Sequence, residues 1–239
     1  MKSFPNIGII EEIIELDSVD STNRYALEAG RKGLLILART QTLGRGRRGR
    51  AWFSPEGENL YMTVTMAPSE ERYPIIAGVA VREALARFVS GVEVAVKWPN
   101  DVIIAGKKVS GILCETRGAI TAVGIGVNVN KTSWPEDLEH RAVSLMQVSL
   151  RRFSIDEVAE AVVVHLGMWV ERFLTEGFRP VREEFLQHGL LQGYDVFTEE
   201  GQVCTIVDLD MEGCLIIDVS GRRKSLRNEA ISLGWERTT

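Results

Sequence analysis

The stretch QTLGRGRRGRAWFSP, residues 41–55, alternates glycine with arginine and then places Trp52 beside Phe53. We call these residues the Gly/Arg loop. Glycine lets the backbone approach a ligand closely, and free N–H groups next to arginines bind phosphate or carboxylate groups well. The spacing is not that of a nucleoside triphosphatase phosphate loop, because no Gly-Lys-Ser/Thr follows. By itself the loop is equally compatible with a lid over a small anion and with a basic turn that binds nucleic acid.

The charge of the whole chain argues against nucleic acid. The chain has 239 residues, a net charge of −5 and a pI near 5.4, whereas nucleic-acid-binding domains usually carry a basic excess. The positive charge is local, and it comes from Arg39, Arg45, Arg47, Arg48 and Arg50. This pattern favours a small anionic ligand.

Cysteine content and the first residues indicate the compartment. The three cysteines form no CxxC pair, which is typical of a reducing compartment without a disulfide framework. The first residues lack the apolar centre of a signal peptide, and no apolar run approaches the roughly 20 residues of a membrane helix. We therefore predict a cytoplasmic protein that does not contact a membrane.

The hydrophobic pattern predicts two domains. Up to about residue 150, apolar strands alternate with helical segments, and the clearest helix is predicted over 153–177 with Ser154 in a capping box. Beyond residue 191, short strands alternate with turns, which is typical of a small β-barrel. We place a large domain at 1–191 and a barrel domain at 192–239.

Three further motifs follow the Gly/Arg loop: KWPNDV at 97–102, KVSGIL at 108–113 and GIGVNVN at 124–130. Each has an ordinary explanation, namely a good turn, a solvated lysine at a strand end and hydrogen bonding between a strand end and a loop. Glycine disfavours strands, however, so Gly124 and Gly126 indicate that another group approaches this strand closely.

These motifs, preceded by DSTN at 20–23, occur in an order that resembles the biotin–protein ligases. That family includes the catalytic part of the bacterial biotin operon repressor, and the resemblance covers about residues 9 to 150. It implies an α+β fold of the class II synthetase-like type, in which helices back a mixed β-sheet, followed by an SH3-like β-barrel. It also implies a homodimer.

The resemblance implies a two-step reaction. The carboxylate of biotin attacks the α-phosphate of ATP, giving biotinyl-5′-AMP and pyrophosphate. A lysine of a biotin carboxyl carrier domain then takes the biotinyl group. The implied co-substrate and ion are ATP and Mg²⁺.

The resemblance also assigns roles to residues at the matching motif positions. The expected catalytic groups are Lys108 and Arg45. The residues expected to bind biotin are Ser21, Thr22, Asn23, Gln41, Arg45, Gly46, Arg47, Lys108 and Gly111. The residues expected to bind ATP or the adenylate are Arg45, Arg47, Trp52, Asn100, Asp101, Lys108 and Asn128, with Mg²⁺ near Asn100 and Asp101.

Two alternatives and one departure accompany this interpretation. A lipoate– or octanoate–protein ligase would share the scaffold, and a nucleic-acid-binding module would use the Gly/Arg loop. Regulatory family members carry a helix-turn-helix domain before the DSTN motif, whereas the residues before Asp20 are too few for one. We therefore expect a ligase that does not bind DNA.

Overall fold

The computed structural model describes residues 8–189 and 196–227, and the backbone of residues 232–233. The first seven strands are β1 (Glu12–Val19), β2 (Leu34–Gln41), β3 (Leu60–Met66), β4 (Val94–Lys97), β5 (Asp101–Ile104), β6 (Lys107–Arg117) and β7 (Ile120–Val127). The helices are α1 (Thr22–Ala29), α2 (Tyr73–Ala86), α3 (Glu136–Glu139), α4 (Leu145–Ser149), α5 (Ile155–Glu176) and α6 (Arg179–His188).

The seven strands form one mixed sheet in the order β1-β2-β3-β7-β6-β5-β4. Strands β1 and β2 are parallel, while the other neighbouring pairs are antiparallel. The turn between β5 and β6 contains Ala105 and Gly106, both with positive φ, as expected for a tight hairpin. This topology agrees with the mixed sheet that the resemblance implies.

The two faces of this sheet differ in what they carry. Leu35, Met62 and Val64 face a large apolar core that includes α2 and α5, and we call this side the covered face. Because side chains alternate along a strand, Leu34 and Thr63 point to the opposite side. That side carries α1 and a small apolar cluster around Ala26, and we call it the site face.

Helix α1 begins at a serine cap and ends at a glycine. The hydroxyl of Ser21 accepts a hydrogen bond from the backbone N–H of Arg24, which satisfies a donor that has no partner within the helix. Gly30 closes the helix in the left-handed conformation with φ 67°, which glycine adopts at little cost. The three residues after Asp20 are therefore fixed at a helix start that faces the sheet.

The segment after β7 is more ordered than its polar composition predicts. Residues 131–145 contain α3 and the start of α4. Ser144 and Gln147 form a capping box at α4. The predicted long helix is confirmed as α5, whose Ser154 accepts from the N–H of Glu157.

The C-terminal residues form a second, smaller sheet. Its strands are β8 (Val196–Phe197), β9 (Val203–Leu209), β10 (Leu215–Val219), β11 (Arg222–Leu226) and β12 (Ser232–Leu233). They pair in the order β11-β10-β9-β8-β12, antiparallel throughout. This sheet agrees with the SH3-like domain expected from the sequence, and we call it the small domain. The predicted boundary at residues 191 and 192 lies outside the described residues.

Within the described ranges, no helix has both the length and the apolar character needed to cross a membrane.

Candidate active site

Glycines form a floor in the middle of the site face. Gly111 of β6 lies opposite Gly126 of β7, and Gly126 lies opposite Tyr61 of β3. A Cβ atom on Gly126 would lie 2.5 Å from Trp52 Cε2, and one on Gly124 would lie 2.2 Å from Asn23 Oδ1. Both distances are far below van der Waals contact. The close approach predicted for Gly124 and Gly126 is therefore confirmed, with protein side chains in contact with them.

The DSTN motif places buried polar side chains beside this floor. Thr22 donates to Gln41 Oε1 from both its backbone N–H (2.9 Å) and its hydroxyl (3.1 Å). Ser21, Thr22 and Asn23 are all buried. Buried polar groups cost free energy unless they are hydrogen-bonded, so this cluster is held in one arrangement. The structure thus brings together four of the residues assigned to biotin.

Two residues that hold this cluster were missed at the sequence level. The hydroxyl of Thr63 lies 2.8 Å from both Thr22 Oγ1 and Asn23 Oδ1. The Asn23 amide donates to Glu115 Oε2 at 2.9 Å and to the carbonyl of Leu113 at 3.0 Å. Thr63 and Thr65 are polar residues with a spacing of two in the buried strand LYMTVTM, and this pattern was a usable signal. Nothing in the sequence around Glu115 indicated its role.

The Gly/Arg loop folds back towards β5 and β6. Arg45 forms an ion pair with Glu115 at 3.2 Å, and Arg47 Nη1 donates to Asn100 Oδ1 at 3.0 Å. Burial, and then the neighbouring charge of Arg48, lowers the pKa of Arg47, as expected when a cation is partly desolvated. Arg45 and Arg47 are therefore held at the site by Glu115 of β6 and by Asn100, which directly precedes β5. Within the loop, the N–H of Gly46 donates to the carbonyl of Arg50.

Lys108 points into the site because β6 is irregular. Val102 lies opposite Ser110, but Ile103 lies opposite Lys108, so Val109 is an extra residue in the pairing. Such a bulge changes which face the following side chains point to. Val109 joins the core of the covered face, whereas Lys108 lies on the same side as Gly111, where a Cβ would meet Lys108 Cε at 2.8 Å.

The ammonium of Lys108 is held between a carboxylate and an aromatic ring. Lys108 Nζ lies 2.6 Å from Asp101 Oδ1 and 5.3 Å from the centre of the Trp52 ring. Asp101 neutralises the ammonium and fixes its position, and the ring adds a cation–π contact. The structure therefore favours Asp101 as the partner of Lys108.

Trp52 lies over the glycine floor, where its indole contacts both Gly111 and Gly126. Its Nε1 atom is buried without a hydrogen-bond acceptor among the described residues. A buried donor without an acceptor is uncommon. The assignment of Trp52 to the adenine side stays a prediction.

The oxygens assigned to Mg²⁺ already face cations. Asn100 Oδ1 accepts from Arg47, and Asp101 Oδ1 pairs with Lys108. Within the described ranges, no group of three or more His, Cys, Asp or Glu residues could hold a metal ion. The arrangement does not fit a Mg²⁺ ion held by the protein at Asn100 and Asp101.

Asn128 is buried, and its side chain hydrogen-bonds to the backbone next to the site. Its amide donates to the carbonyls of Lys108 (3.2 Å) and Val143 (3.1 Å). These bonds tie the end of β7 to the bulged part of β6. Its predicted contact with the adenylate is untested, and the structure assigns it a supporting position.

The surroundings of Cys114 disfavour the thiolate form. Burial raises its pKa, so the thiol stays protonated near neutral pH. Its side chain packs against the core of the covered face, away from Lys108. The site instead combines cations, hydrogen-bonding groups and a glycine floor, as expected for a reaction between two anionic reactants.

Comparison with known proteins agrees with this geometry. Residues 15–131 match the model of the biotin/lipoate A/B protein ligase family. The chain is 32% identical over 203 residues to a biotin–[acetyl-CoA-carboxylase] ligase of Paracoccus denitrificans, covering 78% of this chain and 84% of that protein. The chain belongs to the biotin–protein ligase family.

Other biotin–protein ligases match over most of the chain. The bifunctional ligase/repressor BirA of Bacillus spizizenii is 30% identical, covering 94% of this chain and 74% of that protein. The biotin protein ligase of Aquifex aeolicus, solved with biotin and ATP, is 30% identical with a TM-score of 0.85 and covers 94% of this chain and 99% of that chain. The Leishmania major enzyme with biotinyl-5-AMP is also 30% identical, with a TM-score of 0.62, and covers 90% of this chain and 98% of that chain.

Proposed function

We propose that this biotin–protein ligase joins biotin to ATP on the site face and transfers the biotinyl group to a lysine of a biotin carboxyl carrier domain. The observation that carries the proposal is the position of Lys108. The bulge at Val109 turns its ammonium onto the glycine floor, beside Asp101 and Trp52.

The first step needs positive charge more than it needs a nucleophile. A biotin carboxylate oxygen attacks the α-phosphorus of ATP, a new C(O)–O–P bond forms, and pyrophosphate leaves with the electron pair of the broken P–O bond. Both reactants are anionic, so positioning and charge stabilisation account for most of the rate increase. Lys108 stabilises the charge that builds up between carboxylate and phosphate, with Arg45 as the second catalytic cation.

The remaining groups of the site position the two substrates. The cluster of Thr22, Asn23 and Gln41 receives the ureido head of biotin, since it presents hydrogen-bonding groups in a buried setting. Arg47 and Asn100, already joined by a hydrogen bond, receive the nucleotide phosphates. Gly111 keeps the floor open for the ligand because any side chain there would meet Lys108.

The second step is aminolysis of the mixed anhydride. The neutral amine of the carrier lysine attacks the biotinyl carbonyl, an amide bond forms, AMP leaves with the electron pair of the broken C–O bond, and the amine nitrogen loses one proton to solvent. The Paracoccus denitrificans relative is named for acetyl-CoA carboxylase, which supports a carboxyl carrier domain as acceptor. We further propose a homodimer in the cytoplasm and Mg²⁺ that arrives with the ATP phosphates.

The test is ATP–pyrophosphate exchange on the purified chain, with biotin, with lipoate and with neither. We expect exchange that depends on biotin. Exchange supported by lipoate alone would place the chain with the lipoate ligases that share its family model. No exchange with either acid would contradict the proposal.

A further inference from the structure

Two of the residue pairs that join the small domain to the rest of the chain flank one hydrogen-bonded pair of residues in the candidate active site. The pair is Arg47 and Asn100. Arg48 follows Arg47 directly and pairs with Glu199 of the small domain. Trp98, two residues before Asn100, donates from its indole N–H to the carbonyl of Gly213 of the small domain at 3.1 Å.

The contact at Arg48 fixes a strained point of the Gly/Arg loop. Arg48 has φ 58° and ψ 34°, a left-handed conformation that is uncommon for residues other than glycine. Glu199 lies in the turn that joins β8 to β9, so its carboxylate belongs to a different domain from the loop. An ion pair from outside the loop holds the residue next to Arg47 in this conformation.

The contact at Trp98 is buried and complements the first. Trp98 is 3% exposed, and a buried indole N–H without an acceptor would cost free energy. The carbonyl of Gly213 satisfies this donor, so the small domain also fixes the start of the turn that carries Asn100. Arg47 and the neighbours of Asn100 line, together with Gly213, a cleft of about 280 Å³ between the two domains.

We propose that Glu199 is a positioning residue of the adenylation site, which acts through its ion pair with Arg48 on the neighbouring Arg47. This inference rests on the proposed function. By resemblance Arg47 is assigned to both substrates, and the proposed function places its guanidinium, joined to Asn100, on the nucleotide phosphates. The effect of Glu199 is therefore expected mainly on ATP, while the separate cluster of Thr22, Asn23 and Gln41 still holds the ureido head of biotin.

The test compares Glu199→Gln with Glu200→Gln, a neighbouring exposed carboxylate in the same turn. The ion pair between Arg48 and Glu199 is partly exposed, with 47% and 37% of the two side chains accessible. Its loss is therefore expected to weaken ATP binding by about threefold to fivefold. We expect Glu199→Gln to raise the KM for ATP by about that factor, and to leave kcat and the KM for biotin within about twofold. Glu200→Gln keeps all three at wild-type values.

A second measurement does not depend on activity. Trypsin cleaves after arginine, and the loop offers Arg45, Arg47, Arg48 and Arg50. In the substrate-free protein, Glu199→Gln is expected to be cut in the loop faster than both wild type and Glu200→Gln, at an unchanged melting temperature. A double variant, Arg48→Glu with Glu199→Arg, restores slower cleavage relative to Arg48→Glu alone.

The outcomes separate this inference from the proposed function. Equal cleavage rates for Glu199→Gln and Glu200→Gln, or a rise in the KM for biotin as large as that for ATP, would overturn the positioning role of Glu199. Absence of biotin-dependent exchange in the wild type would overturn the proposed function, and the cleavage rates would still decide whether Glu199 fixes the loop.

Discussion

The two faces of the large sheet show how one set of strands is divided between stability and chemistry. The covered face presents residues such as Val64 and Ile112 to α2 and α5, in a continuous apolar core. The site face presents Thr63, Gly124 and Gly126 from the same strands. A face packed with branched side chains contributes burial free energy, while a face of glycine and hydrogen-bonded threonine leaves room for a ligand. Substitutions on the two faces are therefore expected to differ in kind.

The largest expected effect comes from Lys108→Ala on the site face. Removing a preorganised group that stabilises transition-state charge costs about a hundredfold to a thousandfold in rate. We expect this loss in biotin-dependent pyrophosphate exchange, with an unchanged melting temperature. Lys107→Ala is the matched control, because Lys107 Nζ donates to the exposed carbonyl of Glu139, away from the floor. Wild-type turnover in Lys108→Ala would remove this residue from the catalytic groups.

On the covered face, Leu85→Ala is expected to change stability and leave the chemistry intact. Leu85 of α2 is fully buried, and such truncations cost about 3 kcal/mol through lost burial and the cavity that remains. Urea unfolding is expected to show this decrease in the free energy of unfolding. The KM values for biotin and ATP are expected to match the wild type at a temperature where both proteins are folded. A changed KM with unchanged stability would contradict the division between the faces.

A smaller effect is expected from Thr63→Val, which keeps the shape of the side chain and removes the hydroxyl. The hydroxyl joins Thr22 and Asn23, so its loss is expected to raise the KM for biotin by about tenfold, the equivalent of one to two hydrogen bonds. Thr65→Val on the same strand and face is the control. Its hydroxyl accepts from the N–H of Leu34, and we expect that variant to lose stability alone. Equal KM values for the two variants would argue against a biotin role for the cluster.

The smallest expected effect is a pH dependence of stability from Cys114. Burial raises its pKa from an ordinary value of 9.0, so the thiol stays protonated in the folded chain while it ionises in the unfolded chain. The contribution to stability is complete below about pH 9 and decreases as the pH rises, by at most about 1.4 kcal/mol per pH unit. Cys114→Ala is expected to show a flatter decrease between pH 8 and 10 in urea unfolding. If the free energy of unfolding decreased with pH equally steeply in the variant and the wild type, the pKa of Cys114 would not be raised in the folded chain.

Local features of the fold were predictable from the sequence, and long-range ones were not. The long helix α5 and its cap at Ser154 depend on neighbouring residues and were found. The bulge at Val109 depends on how β5 and β6 pair, so it left no local pattern. Helix α4 spans five residues, which is too short for a periodic pattern to appear.

The same distinction holds for the candidate site. The motif residues were identified by resemblance, and the structure brings Thr22, Asn23, Gln41 and Lys108 to one face. Glu115 was missed because its partners Asn23 and Arg45 are 92 and 70 positions away. Asp101 was assigned to nucleotide phosphates, while the structure places it on Lys108, a pairing that only the fold reveals.

Hydrogen–deuterium exchange with and without biotin plus ATP tests the central claim, that the glycine floor of the site face and the motifs around it bind the substrates. In the absence of a carrier domain, we expect slower exchange in peptides covering residues 21–23, 41–54, 108–113 and 124–128. Peptides covering 75–85 of α2 and 158–170 of α5 are expected to exchange at the rate of the substrate-free protein. Slower exchange confined to α2 and α5, or no change in the four site-face peptides, would contradict the account.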